Sequence, residues 1–97
     1  MSGFETDYGV DKVMATFTRP AKRSLTLCGH RTSVTLEDTF WRQFQLIADK
    51  LNISVNALAS RIDAARPSGV GLASAIRVYV LDATINQQQS DALVDAA

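Results

Sequence analysis

Cysteine and histidine are almost missing from this chain of 97 residues: Cys28 and His30 are the single examples of each. One cysteine closes no disulfide within the chain, which excludes a small secreted disulfide scaffold and fits a reducing compartment. Two ligands flanking Gly29 do not make a zinc site; two pairs would have to meet across a dimer. One histidine also leaves no Ser/His/Asp or Cys/His constellation, and the glycines form no phosphate-binding loop. No catalytic residue, metal or cofactor is expected. Long apolar runs are absent too. None approaches the ~20 residues of a membrane helix, and the N-terminus has no basic start followed by an apolar stretch. A cytoplasmic protein without membrane contact is expected.

Charge is balanced overall, with 10 basic and 10 acidic residues. Zero net charge argues against a general polyanion binder, but the layout decides what a folded surface offers. The first eleven residues carry Glu5, Asp7 and Asp11 and no base. The tail carries Asp91 and Asp95 and no base. Between Arg19 and Arg31 the pattern inverts: Arg19, Lys22, Arg23, His30 and Arg31 stand there without an acid. A folded core without its ends is therefore basic.

The length suits one domain. Residues 1–18 mix Gly, Thr, Asp and scattered aromatics without a sustained period, and are expected to be a flexible segment. The domain proper is expected over 19–86, with a flexible tail over 87–97. A core this small is marginal alone and gains from a partner subunit.

Ser24 to Leu36 is the strand region. Leu25 and Leu27 alternate with Ser24 and Thr26, and Val34 and Leu36 alternate with Ser33 and Thr35. Strand side chains change face at every residue. The apolar positions are odd before Gly29 and even after it, so one regular strand would split them between two faces. A bulge or turn at Gly29 re-phases the chain. A hairpin within one subunit is an alternative.

Glu37 to Leu51 is the clearest helix. Phe40, Trp41, Phe44, Ile47, Ala48 and Leu51 share one face. Glu37 and Asp38 at its start and Lys50 near its end suit the helix dipole. Asn52 suits a left-handed cap. A second helix starts after Ser54, an N-cap type, with Val55, Leu58, Ala59 and Ile62 as its stripe, and ends before Pro67. From Leu72, the residues Ala75, Ile76, Tyr79, Val80 and Ala83 fit a third helix, although Ile76–Leu81 is also rich in strand formers.

A lone strand before two helices is incomplete, because its backbone groups need partners. A two-fold dimer supplies them if two copies of the strand pair antiparallel. Val34 and Leu36 would face the helices, and Arg31, Ser33 and Thr35 would face out. Such a ribbon fits the major groove of double-stranded DNA, where Arg bonds guanine bidentately and Ser or Thr bonds several base edges. Lys22 and Arg23 are candidate phosphate contacts from a flexible arm. Ser54 and Val55 are further candidates, at a helix N-terminus with free N–H groups.

The run from Gly29 to Trp41 has the pattern Gly-His-Arg-Thr-Ser-Val-x-Leu-Glu-x-x-Phe-Trp. Ser54-Val55-Asn56-Ala57-Leu58 and the stretch from Ser74 to Leu81 follow it. Over residues 22–84 the chain resembles the ribbon-helix-helix domains of short bacterial proteins. The resemblance implies a mainly α fold with a short N-terminal β-ribbon, built as an intertwined homodimer, here with an extra C-terminal helix. It implies sequence-specific DNA binding by a transcriptional regulator or antitoxin-like repressor. The alternative is a protein-interaction or oligomerisation module on the same scaffold, without DNA binding.

Several residues have plainer readings. Arg31 is otherwise a solvated arginine, and Ser33 and Thr35 are ordinary exposed strand residues. Lys22 and Arg23 are otherwise a solubilising pair. Cys28 reads as a small buried residue, and His30 as the maker of a local hydrogen bond. Trp41, at helical spacing with Phe40 and Phe44, reads as core or dimer interface. Arg77 on an apolar helix calls for an acid partner, Asp63 or Asp82.

Overall fold

A computed structural model describes residues 9–96, with side chains described as far as Gln88. The expected flexible ends therefore lie partly outside the described residues, at 1–8 and at Ala97. The elements run α1 (Val10–Ala15), β1 (Ala21–Leu27), β2 (His30–Leu36), α2 (Asp38–Lys50), α3 (Val55–Ala65) and α4 (Leu72–Ala96). The part of the N-terminal segment that is described holds the short helix α1, and none of its residues is buried. At the other end α4 continues as helix through the stretch where a tail was expected.

The change of apolar parity at Gly29 is the mark of a hairpin. β1 and β2 pair antiparallel within the chain, with Leu27 opposite His30 and Ala21 opposite Leu36. Cys28 and Gly29 form the two-residue loop, and both have positive φ, at 50° and 84°. Two such residues in succession give the turn whose twist matches the flanking strands. Across this loop each odd residue of β1 meets an even residue of β2, so Leu25, Leu27, Val34 and Leu36 share one face. All four are buried. This corrects the expectation that a second copy must complete the strand: β1 completes it in the same chain.

The helices are bounded by local chemistry. α2 ends in Asn52 at φ 59°. The Asn52 N–H donates to the Asp49 carbonyl and the Ile53 N–H to the Ala48 carbonyl, both at 3.0 Å. These bonds satisfy carbonyls that the helix end would leave orphaned. Ser54 then caps α3, its hydroxyl accepting the Ala57 N–H at 3.0 Å. Arg66 is extended at ψ 142° before Pro67, as proline demands of its predecessor. The Arg66 guanidinium holds the following loop by bonding Asp63 at 2.8 Å and the Val70 carbonyl.

The inner face of the hairpin, Phe44 and Ile47 of α2, Leu58 and Ile62 of α3, and Ile76 and Val80 of α4 meet in one core. Phe44, Leu36 and Ile76 are its largest fully buried side chains. Trp41 packs partly buried against this core, its ring 6.1 Å from that of Phe44. Leu51, expected on the inner face of α2, is 48% exposed, because the chain turns away there. Gln43 of α2 donates to the Thr84 hydroxyl of α4 at 3.1 Å and ties the two helices beyond the core. α4, the helix expected from Leu72, is thus part of the domain's own core over its first turns. No helix among the described residues is long and apolar enough to cross a membrane.

Candidate nucleic-acid interface

The outer face of the hairpin follows from the same register. Lys22 lies opposite Thr35, Ser24 opposite Ser33, and Thr26 opposite Arg31. All six are exposed. None is apolar and none is acidic, so the ribbon presents two cations and four hydroxyls on one surface. Arg31, Ser33 and Thr35 stand where the alternation placed them. Ser24 and Thr26 join them, and Lys22 belongs to this face rather than to a flexible arm. The even parity of Ser24 and Thr26 in β1 was the available signal for both.

Arg23 sits elsewhere. Its odd parity puts it on the inner face with Leu25, and its side chain is only 20% exposed. The guanidinium donates to the Leu36 carbonyl at 3.4 Å, lies 3.6 Å from the Asp38 carboxylate, and covers the Trp41 ring at 5.6 Å. Its Nε is buried without a hydrogen-bond partner among the described residues. Held this way, Arg23 braces the junction of β2 and α2 and does not project with Lys22.

A second arginine braces the same junction. Arg77 of α4 donates to Glu37 Oε1 through Nε at 3.0 Å and Nη2 at 2.9 Å, and Nη2 also reaches the Thr35 carbonyl at 3.3 Å. Its guanidinium lies 5.8 Å from the centre of the Phe40 ring. The partner is therefore Glu37, not Asp63 or Asp82. Asp63 is engaged by Arg66 instead. Glu37's own backbone amide, and then the Arg77 guanidinium, hold its carboxyl below the usual carboxylate range. Ionised Glu37 thus joins the end of the ribbon to the long helix.

The N-terminus of α3 borders the ribbon. Antiparallel strands turn alternate backbone groups away from each other, and the Thr26 N–H points away from β2 to bond the side-chain Oδ1 of Asn56 at 3.0 Å. Asn56 lies in the first turn of α3, so this contact sets the start of that helix beside β1. The Ser54 hydroxyl is used by its cap, while Val55 opens the helix and packs partly buried against the core. The start of α3 is thus tied to β1 at Thr26, the residue paired with Arg31 across the ribbon. A helix start of this kind favours an anion such as phosphate.

Cys28 and His30 are exposed at the tip of the hairpin. This corrects the expectation of a buried cysteine: a two-residue loop at the end of a ribbon has nothing above it. The local hydrogen bond expected of His30 is absent among the described residues; its exposed ring borders a groove shared with Asp63, Arg66 and Leu72.

The family model described as ribbon-helix-helix domain matches residues 20–84. No curated protein and no solved structure matches the chain. The matched span contains the hairpin, α2, α3 and the core-forming part of α4, and families with this domain are generally DNA-binding transcription regulators or antitoxins. With two thirds of its length under that match, the chain belongs to the ribbon-helix-helix domain family.

Proposed function

We propose that this protein binds double-stranded DNA sequence-specifically, as a transcriptional regulator or antitoxin-like repressor, by laying the outer face of its hairpin in the major groove. The observation that carries the reading is the composition of that face: six exposed polar side chains, two of them cationic, on a two-stranded ribbon. The strands are ~4.8 Å apart, and the major groove is ~12 Å wide, so one ribbon enters it. Arg31 is the base reader, with a planar fork that matches the guanine edge. Ser33 and Thr35, now with Ser24 and Thr26, offer hydroxyls to flanking base edges. Lys22 lies at the far end of the face from Arg31, where it meets a phosphate. The N-terminus of α3 at Ser54 and Val55 takes a second phosphate and sets the register of the protein on the duplex. Two copies acting as a homodimer would address two half-sites related by a two-fold axis.

The test is a titration of the folded protein against genomic fragments across a range of salt. Specific complexes whose affinity falls linearly on a log–log plot with salt support the reading. A folded protein that retains no fragment at low salt overturns it. A second reading, a protein-interaction module on this scaffold, is favoured by the exposed apolar residues Val78, Leu81 and Ile85 along α4. Co-purification of a protein partner without nucleic acid would select it.

A further inference from the structure

The two strands of the hairpin carry one pattern twice. Lys22-Arg23-Ser24-Leu25-Thr26-Leu27 in β1 and Arg31-Thr32-Ser33-Val34-Thr35-Leu36 in β2 both read cation, variable residue, Ser, aliphatic, Thr, Leu. An amphipathic hairpin requires polar and apolar residues to alternate. It does not require the same polar residues in the same order on both strands.

The register turns this repeat into a symmetry. Ser24 faces Ser33, Lys22 faces Thr35, and Thr26 faces Arg31. Take an axis through the Ser24–Ser33 pair, perpendicular to the sheet. A half-turn about it carries Lys22 onto Arg31 and Thr26 onto Thr35. The same half-turn carries Leu25 onto Val34 and Leu27 onto Leu36. Exposure obeys it: the polar residues of the outer face are all exposed, and the four aliphatic ones are all buried. The open edges of the two strands are also engaged at equivalent residues. Asn56 accepts the Thr26 N–H, and Arg77 donates to the Thr35 carbonyl. The mismatch, Arg23 against Thr32, has inner parity, where Arg23 covers Trp41 of α2. The outer face matches at every position.

A DNA duplex has two-fold axes of its own, which exchange its antiparallel strands, and two-fold readers align with them. We infer that this hairpin is a two-fold reader contained in one chain. Its pseudo-axis lies on a local dyad of the duplex, and a single chain reads both halves of a short inverted repeat. The inference rests on the DNA-binding reading above and specifies the ligand of that site. In a homodimer each half-site then has a dyad of its own.

Outward residues on one strand lie ~6.6 Å apart, about two base-pair steps of ~3.4 Å. The face from the level of Lys22 to that of Thr26 therefore covers roughly four steps. Ser24 and Ser33 address the centre of the element, one to each DNA strand. Arg31 and Lys22 stand at equivalent places in its two halves. Arg31 grips a guanine with its planar fork, whereas Lys22 is a point charge and takes the phosphate. The element thus demands guanine in one half and tolerates other bases at the mirror position.

The experiment uses the full chain and a pool of duplexes randomised at their centre, from which bound sequences are enriched. An inverted repeat of this size, with guanine fixed in one half, is expected. Enriched sequences without two-fold character overturn the inference and leave DNA binding standing. No enrichment by the folded protein overturns both. The enriched duplex is then titrated with exchange variants. Arg31→Lys should weaken binding about tenfold. Adding Lys22→Arg to Arg31→Lys should restore it, because the exchanged face is the wild-type face after a half-turn. Both positions are exposed, so the unfolding midpoints should not move. No loss in the single variant, or no recovery in the double one, overturns the symmetry.

Discussion

The two faces of the hairpin share one backbone and differ in everything else. Its inner face carries Leu25, Leu27, Val34 and Leu36, all buried, with Arg23 folded over Trp41 at the edge. Its outer face carries Lys22, Ser24, Thr26, Arg31, Ser33 and Thr35, all exposed. Period-two alternation lets one strand pair serve a core and a surface at once. Substitutions on one face should therefore report folding, and substitutions on the other should report binding.

The largest separation is expected from Leu36→Ala. Leu36 is fully buried between the helices, and truncating a leucine in a packed core costs about 2–5 kcal/mol. Urea denaturation monitored by circular dichroism measures it. A loss below that of an ordinary surface substitution would show that the inner face is not the keystone of the core. On the opposite face, Arg31→Ala should leave the denaturation midpoint in place while specific DNA affinity falls by about 1–3 kcal/mol, the worth of one bidentate base contact. Affinity that does not change would remove Arg31 from the reading set.

The turn that joins the faces offers a change of opposite sign. Cys28 holds φ 50° with an ordinary side chain, whereas asparagine tolerates that region and Asn-Gly is the favoured loop. Cys28→Asn should raise stability by up to about 1 kcal/mol, without altering either face. A thermal midpoint that stays put or falls would locate a role for the thiol at the tip.

The smallest effect concerns the junction of the ribbon with α2. Glu37's carboxyl is held below its ordinary value of 4.5 in the folded chain. A depressed folded value stabilises at pH above the unfolded value, and that contribution disappears as acid brings the pH down through the folded one. Wild type should therefore lose its advantage over Glu37→Gln as the pH falls below about 4.5. Parallel midpoints for both proteins across that range would mean that the Arg77 contact is indifferent to the charge.

Much of the fold was legible because it depends on near neighbours. Ser54 caps α3 and Asn52 ends α2 in the left-handed region as their residue types imply. The outward parity of Arg31, Ser33 and Thr35 needed nothing beyond the alternation around them. The same alternation contained the inward position of Arg23, which its charge concealed. Arg77's partner was not legible, because Glu37 lies 40 residues away and only the packing of α4 against the ribbon joins them. The binding roles of the outer face go beyond parity, since exposure shows where side chains point and not what they grip.

By itself the sequence determined the apolar alternation of the strand region, the apolar face of α2, and the start and stop signals of α2 and α3, since caps, turns and periodicity act within a few residues; it did not show α1 or the reach of α4 past residue 86. Tertiary structure alone decided that β1 rather than a second copy completes β2, that Arg77 clasps Glu37, and that Cys28 stands in the open. These are matters of which surfaces meet. The free energy of such meetings comes from burial and charge pairing between segments far apart in the chain, which no local pattern records.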